Sequence, residues 1–373
     1  MISDPALLAV IVLGGSAAAS AVMIWPVRSL ATRYGVIDHP GHRKVHSAPT
    51  PRLGGVAVYL SFVLLVTLGY AATPYLSALP RVGSALPEST HVLQDAYRVG
   101  TKLLAFMLGS TVAFAVGLAD DVLGERFPVW TKAAGQAIAA AILISAGVTT
   151  SFLPFQWMNV VVAFLWLVGM TNAFNLLDNM DGLAAGVAFV ASLVLLINAW
   201  FLGEIFISLL LVAFMGSLLG FLLFNVHPAR IFLGDCGSLF IGYVMGSLTL
   251  LERYLSHASG LLFPILMPVL VLAVPLVDTA TVVFIRLREH RPIYVGDKRH
   301  LSHRLISLGF SRRHAVSVLY LLTFSLGLGA AALTDATLLQ SVLVLLQTAG
   351  FVAVVLMLMF IERPAPPPGQ PPA

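Results

Sequence analysis

Residues 172–186 read NAFNLLDNMDGLAAG, and this segment crowds Asn172, Asn175, Asp178, Asn179 and Asp181 between two apolar stretches. Four further clusters hold the other residues able to do chemistry. They are GHRKVHSAPTPRLGG (41–55), GLADDVLGERFPVWTKAAGQ (117–136), NVHPARIFLGDCGSLFIGY (225–243) and GDKRHLSHRLISLGFS (296–311). Asp120, Asp121, Asp178, Asp181 and Asp235 are the acids of this set. Neighbouring carboxylates raise one another's pKa unless a cation sits among them. Lys132, Lys44 and the basic 298–304 segment could supply that charge, and an oxygen-rich site is also what Mg²⁺ prefers. Helix capping is the ordinary role of one Asp or Asn at a helix start. Five acids with Asn172 and Asn175 at a three-residue step exceed what capping needs.

Individual positions divide in the same way. Successive helical residues point about 100° apart, so Asp120 and Asp121 either end a helix or have different tasks. Gly182, Gly186, Gly234 and Gly237 flank the acids, where glycine lets backbone N–H groups approach a phosphate. Close helix packing is the commoner use of glycine in a membrane. His300, His303 and Arg304 suit a pyrophosphate or lipid phosphate through charge-assisted bonds. Anchoring to anionic headgroups is the alternative and fits Arg312 and Arg313 well. A zinc site on His300 and His303 lacks a third ligand nearby.

The elements that must position these groups are membrane helices. The chain has 373 residues, 58% of them hydrophobic and 10% charged, and a mean hydropathy of +0.93, which excludes an ordinary soluble domain. Continuous apolar runs of about 20 residues fit helices, not the alternating segments of a barrel. The expected spans are 6–25, 53–73, 101–118, 132–148, 158–174, 183–202, 205–224, 238–252, 263–285, 314–333 and 339–361. The expectation is therefore an all-α polytopic fold of about 11 helices. Residues 1–361 would form a single catalytic domain, with site loops at 26–52, 119–131, 175–182, 225–237 and 286–313. The proline-rich end, 362–373, is expected to be disordered. No Lys or Arg precedes Arg28, so the first run reads as a retained helix and not as a cleaved signal. Cys236 is the single cysteine, which excludes an intrachain disulfide.

Of the alternate loops, one set carries nearly all the Lys and Arg, and the other holds only Arg81, Arg98, Lys102 and Arg253. The positive-inside rule makes the rich side cytoplasmic, with the N-terminus outside and the C-terminus inside. The net charge of +4 then belongs to basic loops and not to a nucleic-acid surface. All five polar clusters fall on the cytoplasmic side. A transporter would spread ionisable groups through the membrane depth, and no internal repeat of the transporter kind is evident. One-sidedness suits an enzyme that takes a soluble substrate from the cytoplasm and a lipid from the inner leaflet.

The motifs GLADD, NAFNLLDNMDGLAAG, NVHPARIFLGDCGS and HLSHRL, in this order, resemble the polyprenyl-phosphate N-acetylhexosamine-1-phosphate transferases of glycosyltransferase family 4. That superfamily also holds phospho-MurNAc-pentapeptide translocase. The resemblance covers roughly residues 30 to 320. It implies a Mg²⁺- or Mn²⁺-dependent enzyme of the bacterial cytoplasmic membrane that faces the cytoplasm. Such an enzyme moves a sugar 1-phosphate from a UDP-N-acetylhexosamine to polyprenyl phosphate and releases UMP. Its other partners would be the bilayer and a possible second copy in a homodimer. The resemblance makes Asp120, Asp121, Lys132, His300 and His303 catalytic. Lys44, Asn172, Asn175, Asp181, Asn225, Phe232 and Arg304 become substrate-binding, with Asp181 and Phe232 on the uracil. Asp235, Asp178 and Asp121 become metal ligands. Position 179 is Asn where many relatives have Gly, and Ser302 stands where His is frequent. The His-Leu-Ser-His form looks more like the N-acetylglucosamine-1-phosphate branch than the translocase branch. The acceptor phosphate is mostly ionised at neutral pH, so direct in-line attack is the expected route, with Asp120 deprotonating or orienting. Covalent catalysis by Asp121 is the rival.

Overall fold

The computed structural model describes residues 4–38, 49–78, 100–252, 254, 263–291, 299–334 and 336–360. Lys44 and the 362–373 tail lie outside the described residues. The chain folds as α1 (Asp4–Arg33), a strand pair β1 (Ile37–Asp38) and β2 (Thr50–Pro51), α2 (Gly54–Ala78), α3 (Gly100–Leu123) and α4 (Val129–Ser145). Then come α5 (Gln156–Leu177), α6 (Leu183–Phe201), α7 (Ile205–Asn225) and α8 (Gly234–Leu251). The remainder is α9 (Met267–Val271), α10 (Ala273–Arg288), α11 (Leu301–Ser307), α12 (Arg312–Ala331) and α13 (Leu338–Phe360). This is an all-α polytopic membrane protein.

Among the described residues, nine helices are long and apolar enough to cross a bilayer. Two of the expected spans differ. The one over 132–148 is the shorter α4, Val129–Ser145. The one over 263–285 is broken into a 3₁₀ turn at Phe263–Leu266, then α9 and α10. Pro275 explains the second break. It has no N–H to give the Val271 carbonyl, and its ring crowds that turn, so the helix restarts after Leu272.

Helix α8 is the axis of the bundle, packed against α2, α3, α5 and α6, while α1 lies along α7. Small residues set the spacing. A Cβ on Gly117 of α3 would lie 2.2 Å from the Asp235 carbonyl oxygen, so only glycine lets α3 and α8 approach this closely. Phe62, Phe106, Phe214 and Phe240 fill the interior beside them with edge-on ring contacts. Exposed aromatics stand at helix ends, Trp130 and Trp157 at the starts of α4 and α5 and Phe201 at the end of α6, positions that suit a membrane interface. β1 and β2 pair antiparallel, with Ile37 opposite Pro51. Phe232 N–H donates to the Pro51 carbonyl, and the N–H groups of Gly54 and Gly55 donate to Phe232 and Leu233. These bonds stitch the 50–55 segment to the start of α8.

Candidate active site

Helix α3 runs through both aspartates to Leu123 instead of ending before them. The two side chains, about 100° apart, therefore serve different partners. Asp120 turns to α4, where Lys132 Nζ donates to its Oδ2 at 2.8 Å. The same ammonium donates to Asp235 Oδ2 of α8 at 2.6 Å and to Asn175 Oδ1 of α5 at 3.2 Å. Lys132 has three donors, and all three are spent on groups from three other helices. Asn175 Nδ2 completes the ring by donating to Asp235 Oδ1 at 3.0 Å, and to Ser238 Oγ at 2.8 Å.

Asp121 faces the other way. Its Oδ1 accepts the Asp235 N–H at 3.0 Å and its Oδ2 the Cys236 N–H at 2.9 Å. The carboxylate thus occupies the positive end of α8, with Arg52 Nε 4.0 Å from Oδ1. Gly234 starts that helix with φ +77°, and a Cβ there would sit 2.6 Å from Asp121 Oδ2. Both the left-handed backbone and the crowding demand glycine. Asp121, expected as a third carboxylate ligand, accepts a backbone amide on each oxygen, and these two bonds anchor α8. Among the described residues, no three His, Cys, Asp or Glu side chains group closely enough to hold a metal ion.

Asp178 lies in the loop between α5 and α6. Burial and then the Asp235 charge push its carboxyl up to about 8, with Asp121 and Asp181 adding to the effect and Arg52 opposing it. Burial works against the Arg52 charge, but the carboxylates of Asp121, Asp38, Asp235 and Asp178 outweigh it and hold its pKa above the ordinary value. A carboxyl whose pKa is raised by burial, and further by a neighbouring acid, is a place where a divalent cation would lower the energy. Asp178 and Asp235 offer oxygen donors of the kind Mg²⁺ takes.

Two further groups flank the ring. In the first, Asp181 Oδ2 lies 2.7 Å from His227 Nδ1 and accepts the Ala229 N–H at 3.1 Å. Asn225 Oδ1 accepts the Gly182 N–H at 2.9 Å, and its Nδ2 donates to the Ile231 carbonyl. Tyr320 OH donates to the Gly182 carbonyl at 2.5 Å, and Arg313 donates to the His227 carbonyl. Asn225 thus works as a loop brace in this structure. In the second group, Ser302 Oγ donates to Asn179 Oδ1 at 2.6 Å, which docks α11 on the 175–182 loop. His300 Nδ1 lies 2.7 Å from Asp278 Oδ2, and the His300 and His303 rings are 6.5 Å apart.

The remaining expected residues fall as follows. Asn172 exchanges hydrogen bonds with Gln136 of α4, one turn from the Lys132 ring. Phe232 is half-buried and tied through its backbone to the 50–55 segment. Arg304 Nε donates to the Leu358 carbonyl at 3.0 Å and so fastens α11 to α13. Sequence reasoning missed Arg52, Gln136, His227, Ser238, Asp278 and Tyr320. For Asp278 a signal existed, because it is the lone acid in the apolar run 263–285.

A sequence model described as glycosyl transferase family 4 matches residues 103–252. The "probable undecaprenyl-phosphate N-acetylglucosaminyl 1-phosphate transferase" of Bacillus subtilis is 32% identical over 345 residues, covering 90% of this chain and 86% of the relative. The chain belongs to glycosyl transferase family 4. Another relative is the decaprenyl-phosphate N-acetylglucosaminephosphotransferase of Mycolicibacterium smegmatis, 33% identical over 333 residues, 82% of this chain and 77% of that one. An undecaprenyl-phosphate alpha-N-acetylglucosaminyl 1-phosphate transferase of Escherichia coli is 25% identical over 294 residues, 77% and 74% of the two chains. The segment that matches the glycosyl transferase family 4 model contains Asp120, Lys132, Asn175 and Asp235, and the histidine segment lies beyond it.

Proposed function

We propose that this protein transfers N-acetylglucosamine 1-phosphate from UDP-N-acetylglucosamine to a polyprenyl phosphate at the cytoplasmic face of the bacterial inner membrane, releasing UMP. The protein would cross the membrane eleven times, counting α4 and the broken 263–288 segment, with its N-terminus outside. The observation that carries the reading is the Lys132 ring, in which Asp120, Asn175 and Asp235 from three helices converge on one ammonium. The names of the relatives favour N-acetylglucosamine over a muramyl-peptide donor.

The chemistry follows from bringing anions together. A donor diphosphate and an acceptor phosphate repel, and phosphoryl transfer is governed by positioning and charge neutralisation. Asp178 and Asp235 would hold Mg²⁺, which supplies Lewis-acid neutralisation of the donor phosphates. Lys132 carries a positive charge to the same place and keeps Asp120 and Asp235 at fixed separation. Asn175 fixes the Asp235 carboxylate through Oδ1. Asp181 and His227, braced by Ala229, Asn225 and Tyr320, form the wall nearest the nucleotide. Asp120 orients the acceptor phosphate, which needs no strong base because it is already ionised near neutral pH. Direct attack is favoured over an Asp121 intermediate, because each Asp121 oxygen already accepts a backbone N–H and the side chain is 1% exposed.

The test uses the protein in vesicles containing polyprenyl phosphate and Mg²⁺, with a panel of radiolabelled UDP-sugars. UMP and lipid-linked phosphosugar should form in equal amounts from UDP-N-acetylglucosamine. Transport of an intact nucleotide sugar without UMP release, or product only from another sugar, would contradict the proposal. A phosphosugar adduct trapped on the protein without acceptor would defeat direct attack.

A further inference from the structure

The histidine segment is held by an acid that no motif includes. Asp278, on α10, and His300 are both nearly fully buried, 2% and 3% exposed. Asp278 Oδ2 lies 2.7 Å from His300 Nδ1, and Oδ1 accepts the Leu301 N–H at 2.6 Å. We propose that Asp278 is a positioning residue for the transfer reaction, fixing the ring orientation and tautomer of His300; this rests on the reading that the histidine segment serves the reaction.

A carboxylate only accepts hydrogen bonds, so the proton between the two residues belongs to His300 Nδ1, and Nε2 is the nitrogen left for another partner. The second carboxylate oxygen takes the first helical amide of α11, so ring and helix start share one anchor. Helix α11 has seven residues, far too few to persist unaided. Its place depends on Asp278, on the Ser302–Asn179 bond and on the Arg304–Leu358 bond. The Ser302 bond reaches the loop that carries Asp178 and Asp181, which puts the segment beside the proposed nucleotide site. A plain cap would need one oxygen on a backbone amide. Spending the other on His300, two residues buried together, is what orientation of that ring requires.

D278N separates the two roles. The two donors lie on different carboxylate oxygens, and in an amide one of those positions is an NH₂, so either Nδ1–H or Leu301 N–H loses its acceptor, and an NH₂ facing the ring favours the opposite tautomer. D278N should lower kcat about 10²-fold, with the KM for UDP-N-acetylglucosamine within about twofold of wild type. Added to H300Q, it should cause no further loss, since the two act as one unit. Histidine-¹⁵N NMR of the wild-type protein, with His300 assigned by its loss in H300Q, should show a protonated Nδ1 and a bare Nε2. That measurement stands even if D278N does not fold. A D278N enzyme at wild-type kcat beside an inactive H300Q, losses that multiply in the double variant, or a protonated Nε2 in wild type would overturn the proposal. Full activity of H300Q would overturn it together with the histidine-segment reading beneath it.

Discussion

Replacing Lys132 by methionine keeps most of the side-chain volume and removes the charge that joins Asp120 to Asp235. At the 2.6–2.8 Å separations of the two contacts, an effective dielectric of about 20 gives roughly 6 kcal/mol for each. The three side chains remain 18–26% exposed, so solvent screens part of this. Breaking such a pair, with the carboxylates left facing one another, is expected to cost about 3–5 kcal/mol. The unfolding temperature in detergent should drop by roughly 4–6 °C for a chain of this size. Turnover should fall about 10²–10³-fold or more, as on losing one charge that stabilises a transition state. K132R, which keeps the charge, should lose less stability than K132M. K132M with wild-type melting and wild-type turnover would refute the reasoning, because the ammonium would then bear neither on the carboxylates nor on the reaction.

Other consequences are separable. G234A places a Cβ against the Asp121 carboxylate at a left-handed backbone position; it should cost about 1–3 kcal/mol, read as a lower melting temperature. D121N replaces one of the two oxygens that accept the Asp235 and Cys236 amides, and should destabilise by about 1–3 kcal/mol in the same assay. Asp178, with its pKa near 8 against about 4 when unfolded, holds its proton at pH 7 until a cation displaces it. Mg²⁺ affinity should therefore rise with pH up to about 8 and level off above, with close to one proton released per ion at pH 7, measured by calorimetry in buffers of different ionisation heat.

Composition and period were enough to read the membrane class and most spans, because a continuous apolar run has few other uses. Pro275 marked the break between α9 and α10 in plain sight, but counting apolar residues passes over a missing N–H. The polar ring was legible as a set of residue types and not as a set of partners. Asp120 and Asp121 look alike in sequence, and only the rotation of α3 sends one to Lys132 and the other to the α8 amides. The side chains of Arg52 and Asn225 reach segments distant in sequence, Asp121 for the first and Gly182 for the second, and no local pattern encodes those partners. Arg304 was legible beside His300 and His303, but not its Nε contact with the Leu358 carbonyl, which joins segments far apart in sequence.

The central claim is that carboxylates from separate helices act together on a diphosphate, and D235N tests it most directly. The substitution removes the negative charge that Lys132 and Asn175 hold while keeping side-chain size. UMP release from UDP-N-acetylglucosamine in polyprenyl-phosphate vesicles should be abolished, and Mg²⁺-dependent UDP binding lost, in a protein that still inserts and unfolds cooperatively. A D235N protein that releases UMP at the wild-type rate would contradict the account.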